Sequence, residues 1–131
     1  MAVTQLAPAR STGYQIVTYL RAPIVFGDGV AGVVQVGTLP AGSIVLRTYV
    51  IITTAFNGTT NTISIGTVAS NASYGTGIST ATAGVITGGT ALATATTATP
   101  TVDTPVIATH ATTVAATAGA GFVVVEYLPM P

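Results

Sequence analysis

The clearest pattern along the chain is a hydrophobic alternation with a period of two. From Gln15 to Arg21 it places Ile16, Thr18 and Leu20 on one side and Val17, Tyr19 and Arg21 on the other, as a pleated strand does. Ile24 to Phe26 extends it past Pro23. Ser43 to Thr54 carries the strongest signal, with Ile44, Leu46, Val50 and Ile52 on one face and Val45, Arg47, Tyr49, Ile51 and Thr53 on the other. Both faces are partly apolar, so one packs into the domain core while the second demands cover from another sheet or subunit. Val30 to Val36, Asn61 to Thr67, Thr101 to Thr109, Thr112 to Ala118 and Gly121 to Leu128 are further predicted strands. In the last, Phe122, Val124, Glu126 and Leu128 oppose Val123, Val125 and Tyr127.

Turn-forming clusters separate these runs. Gly27-Asp28-Gly29 and Asn57-Gly58 read as hairpin turns, and Leu39-Pro40-Ala41-Gly42 as a tight entry into the long strand. Ala69 to Ala98 is low in complexity and reads as one or two short strands with long loops. The alternation of alanine and threonine from Thr90 to Ala98 favours a strand over a helix, and no window sustains a 3.6-residue period. About seven to nine short strands predict an all-β chain, a single-domain antiparallel β-sandwich of jelly-roll type over residues 15–131. The first fourteen residues lack clean periodicity and are expected to form an extended N-terminal arm that orders against a partner.

Composition supports this reading. Threonine and alanine supply about a third of the 131 residues, and β-branched threonine suits a pleated, half-buried surface. Charge changes the picture more. Only 5% of residues are charged: Arg10, Arg21, Arg47, Asp28, Asp103 and Glu126, with no lysine and a net charge of zero. Ordinary soluble proteins carry about a quarter. So little electrostatic repulsion implies a surface largely covered by partners. Three scattered arginines exclude nucleic-acid binding by counterion release. The mean hydropathy is +0.72, yet the greasiest stretch, Ser43 to Phe56, is interrupted by Arg47 and threonines, which disfavours a spanning helix. The aromatic content of 6% disfavours an outer-membrane barrel, and MAVTQLAPAR lacks the form of a secretory signal. The chain is therefore expected to be soluble and intracellular when made.

Candidate chemistry is sparse. A hydrolase triad would need His110, an acid and a serine, but no serine sits in a Gly-x-Ser-x-Gly elbow. His110 is better read as a polar residue at a strand end. Asp103 and Glu126 lie on different predicted strands and could approach each other as a carboxylate pair, but any three acids offer such a pair, and an ion pair to arginine is the simpler reading. One histidine, three scattered acids and no cysteine give no metal-ligand spacing, and no glycine-rich loop ends in lysine. No catalytic, cofactor-binding or metal residues are assigned, no cofactor is implied, and an enzyme is not expected. Arg47 interrupts an apolar strand, where a charge needs exposure or a partner. It reads either as an exposed side chain lying along the sheet or as half of an inter-subunit or capsid-facing ion pair. Tyr19, Tyr49 and Tyr127 are candidate interface anchors, although isolated sheet tyrosines are more often simply core or rim.

Three local patterns, Gly37-Thr38-Leu39-Pro40-Ala41-Gly42-Ser43, Thr54-Ala55-Phe56-Asn57-Gly58 and Ile63-Ser64-Ile65-Gly66-Thr67, resemble the small jelly-roll head decoration, or cement, proteins of tailed bacteriophages. The closing Phe122-Val123-Val124-Val125-Glu126-Tyr127 is similar to their last strand. The resemblance implies a structural virion protein on the outer surface of the capsid, made in the host cytoplasm. It would bind across seams of the major capsid protein and act as a homotrimer or homodimer. On that basis Arg10, Tyr14, Arg47, Tyr49 and Ile51 are the candidate interface residues, the arm contacting the capsid and the sandwich joining copies. A tail or fibre component is the rival within the same class. A carbohydrate-binding module, with Tyr74 beside Asn71 as its modest sugar platform, is the rival outside it.

Overall fold

A computed structural model describes residues 16–28, 32–87 and 98–129. The expected arm, with Arg10 and Tyr14, lies outside the described residues, as does 88–97 of the low-complexity tract. Eight strands form among the described residues: β1 (Thr18–Val25), β2 (Val33–Leu39), β3 (Ile44–Thr54), β4 (Thr62–Thr67), β5 (Gly75–Ser79), β6 (Gly84–Thr87), β7 (Thr104–Ala111) and β8 (Ala120–Leu128). They make two four-stranded antiparallel sheets, ordered β1-β8-β3-β6 and β2-β7-β4-β5. The all-β sandwich expected from the alternation is the observed fold.

The pairing is nested. β1 pairs with β8, β2 with β7, β3 with β6 and β4 with β5, while β8 and β7 also pair with β3 and β4. The turns read as hairpins are therefore corrected. Phe26–Asp28, a short 3-10 turn, leads from one sheet to the other, and so do the Leu39-Pro40-Ala41-Gly42 and Asn57-Gly58 connections. Turn chemistry reports a reversal in the chain but not which strand lies beside which. The stretch Thr112 to Ala118 is not a strand but a loop with one bridge, Thr59 to Val114. Thr112 and Thr113 both donate to the Thr59 carbonyl, at 3.0 and 2.9 Å. The β7 strand starts at Thr104 rather than Thr101 and runs on to Ala111.

The core lies between the sheets. Val45, Val50, Ile52, Val123 and Val125 from one meet Leu39, Ile63, Ile65 and Val106 from the other, all at most 3% exposed. The inward placing of Ile63 and Ile65 agrees with the alternation. That of β3 does not throughout: Val45 is buried with Val50 and Ile52, whereas Leu46 is 40% exposed. The register explains the change, because Val45 faces Tyr127 and Arg47 faces Glu126, leaving Leu46 unpaired as a bulge. One extra residue moves every side chain before it to the opposite face.

At one end of the sandwich Phe56 is buried and meets the His110 ring edge-on, centroids 4.9 Å apart. Gly119 passes so close to Phe56 that a Cβ there would overlap the ring, and its φ of +147° lies where other residues are strained.

Candidate functional site

The two outer sheet faces differ in chemistry. On the β2-β7-β4-β5 sheet, Gln35, Thr62, Ser64, Ile107 and Thr109 point away from the core, and none of its strands carries Asp, Glu, Lys or Arg. All three such residues that lie in strands, Arg21, Arg47 and Glu126, belong to the β1-β8-β3-β6 sheet.

Register arranges that sheet's outer face in three rows. Tyr19, Glu126 and Arg47 form the first, Arg21, Val124, Tyr49 and Thr87 the second, and Pro23, Phe122, Ile51 and Val85 the third. Residues directly opposite in such rows have Cβ atoms about 5 Å apart, so side chains meet both within a row and between rows. Two shallow hollows of about 340 Å³ each lie on this face. They share Tyr49 and Ile51; one continues over Tyr19, Arg21, Phe122 and Val124, the other over Arg47, Val85 and Thr87.

Arg47 is held by its own chain. Its Nε and Nη2 donate to the two Glu126 carboxylate oxygens at 2.6 and 3.1 Å, and the Tyr49 hydroxyl donates to the same carboxylate at 3.2 Å. The guanidinium also lies 5.3 Å from the centre of the Tyr49 ring. The Arg47 hydrogen bonds hold the Glu126 carboxyl below its ordinary range, outweighing the opposing effect of desolvation. Desolvation first, then the bond to Glu126, pushes the Tyr49 phenol up. The reading of Arg47 as an exposed side chain lying along the sheet fits this geometry: its ion-pair partner within the chain is Glu126, and the side chain remains 66% exposed.

Arg21 is different. Its guanidinium carbon sits 3.9 Å from the centre of the Phe122 ring, a close cation–π contact, and among the described residues it makes no ion pair. Tyr19, beside it on β1, is 61% exposed, as is Val85 at 67% on the opposite edge.

Of the candidate residues, the structure brings Arg47, Tyr49 and Ile51 together on this face. It adds Arg21, Phe122, Val124 and Glu126, which were not assigned to a site. Their common face was readable within each strand; the adjacency of β1, β8 and β3 was not. Of the three tyrosines, Tyr127 follows the core reading: it is half-buried, faces inward and packs against the core. Tyr74 is 3% exposed, its phenol pushed up by burial and its carbonyl accepting from the Thr48 hydroxyl at 2.7 Å, so it offers no exposed sugar platform. Asp103 and Glu126 serve separate partners: Asp103 accepts the Ala41 N–H at 2.9 Å, capping the β2–β3 turn. His110 is buried on the inner face of β7. No three His, Cys, Asp or Glu side chains cluster as metal ligands among the described residues, and no described helix is long and apolar enough to cross a membrane.

No family model and no curated protein matches the chain. Solved structures do. A chain of the capsid asymmetric unit of cyanophage Pam1 superposes with a TM-score of 0.68 at 26% identity, over 97% of this chain and 94% of that one. A chain of the acidic stable capsid structure of Helicobacter pylori bacteriophage KHP30 superposes at 0.55 with 16% identity, over 88% and 90%. The second likeness shows the fold alone. The first adds sequence similarity over nearly the whole of both chains, so this sandwich is structurally related to phage capsid chains.

Proposed function

We propose that this chain is a non-enzymatic structural component of a phage virion and, within it, a decoration protein. It binds the outside of the head across seams between major capsid protein units and stabilises the shell against the pressure of packaged DNA. The observation that carries the reading is the near end-to-end likeness to a chain of the cyanophage Pam1 capsid asymmetric unit. The nested strand pairing supports a jelly-roll path for the sandwich. An aromatic and arginine-bearing sheet face has the composition of a protein interface core, and the very low charge suits a molecule whose surface is shared with neighbours. Copies work as dimers or trimers, and the first fourteen residues add contacts to the shell.

The experiment compares DNA-filled heads prepared with and without the chain. Heads lacking it should release DNA at a lower temperature, and adding back purified protein should restore the original midpoint. Identical release curves with the protein absent, present and restored would refute the stabilising role.

A further inference from the structure

We infer that the outer face of the β1-β8-β3-β6 sheet docks a segment of the shell protein that presents a carboxylate to Arg21, flanked by apolar side chains. This rests on the decoration reading and names the surface and chemistry by which it would operate. The three rows of this face hold Tyr19, Tyr49 and Phe122 around two guanidinium groups. Arginine and aromatic side chains of this kind dominate binding energy at protein interfaces.

Charge separates the possible occupants. Glu126 is neutralised by Arg47 at 2.6 Å, so among the described residues the face carries one uncompensated positive charge, at Arg21. A second copy laid face to face would set Arg21 against another uncompensated positive face, which is unfavourable. A carboxylate meets the guanidinium with bidentate geometry while Phe122 supports its flat side. Nucleic acid is a poor match, because a single cation releases few counterions. Four strands about 4.8 Å apart and rows spanning five residues give roughly 300 Å² in projection, against about 800 Å² per partner in a standard interface. The face is therefore the centre of the contact, with a surrounding rim. On this proposal, a face expected from the sequence to join copies turns toward the shell.

The chain contains no lysine, which makes Arg21→Lys a single-site chemical probe. Heads stripped of the protein are coated with wild type, Arg21→Glu or Arg21→Lys, and the coated heads are treated with a zero-length carbodiimide that couples amines to adjacent carboxylates. Wild type reports any coupling through the N-terminal amine. We expect Arg21→Glu to melt like wild type but coat heads at least about tenfold less well, the scale of a lost charged interface contact. Arg21→Lys should coat and give an adduct whose second peptide belongs to the shell protein. Wild-type occupancy by Arg21→Glu would overturn the inference and leave the decoration reading standing. So would an adduct only to another copy of this chain, or no adduct at full occupancy by Arg21→Lys. Wild type failing to coat heads would overturn the decoration reading and this partner together.

Discussion

Arg47, Glu126 and Tyr49 show how a chain with few charges spends them. The Glu126 carboxylate, set among aromatic and apolar side chains, is tolerated because Arg47 and Tyr49 both donate to it. Since its folded pKa lies below the ordinary 4.5, ionised Glu126 favours the folded state above the unfolded pKa. That contribution is lost as pH falls through the lowered value. A carbon-detected NMR titration should place the Glu126 midpoint below 4.5, and Arg47→Ala should move it upward; an unchanged midpoint in the variant would contradict the pairing. Gly119 makes a different kind of demand. Gly119→Ala forces a methyl into the Phe56 ring and strains the backbone, so thermal melting should show a loss of about 1–3 kcal/mol. Alternation identified Arg47, Tyr49 and Ile51 as neighbours within one strand, but the intramolecular partner of Arg47 comes from β8, 79 residues away, and single-strand periodicity carries no such pairing.

At the scale of elements, β1 to β4, β7 and β8 were legible because β-branched and apolar residues alternate through them, whereas β5 and β6 were legible only as one or two short strands within Ala69 to Ala98. Their ends and connections were less so. The Leu46 bulge inverted the expected faces at the start of β3, since sequence alternation counts residues while the ladder skips one. Thr112 to Ala118 has strand-like composition yet forms a loop whose hydroxyls and backbone bind the β3–β4 connection. Asn57 adds a second tie between these two segments, beside the Thr112 and Thr113 bonds to Thr59: its side-chain oxygen accepts the Thr117 and Ala118 N–H groups at 2.8 and 3.1 Å, and its amide donates to the Thr117 hydroxyl at 2.9 Å. Asn57→Ala should cost about 1–2 kcal/mol in denaturant unfolding. Hydrogen exchange should accelerate selectively at the Thr117 and Ala118 amides; unchanged exchange there would show that the tie contributes nothing.

Across the whole molecule, nested pairing converts a linear series of short strands into a sandwich whose two outer faces are chemically unlike. The hydroxyl-rich face presents no strand-borne charge, while the opposite face gathers Arg21, Arg47 and Glu126 among aromatic side chains. That asymmetry is invisible without the strand order, which is why charge scarcity alone implied a covered surface but not which one. Tyr19 and Val85 are more than 60% exposed in the single chain, exposure that the proposed cover of this face would remove. On the proposed function, the chain is a repeated structural part of a phage head. Its copy number in purified virions, measured by quantitative mass spectrometry against the major capsid protein, tests this most directly. Hundreds of copies per particle, in fixed ratio to the shell, are predicted; a handful per particle, as for a tail component, or none at all, would contradict it.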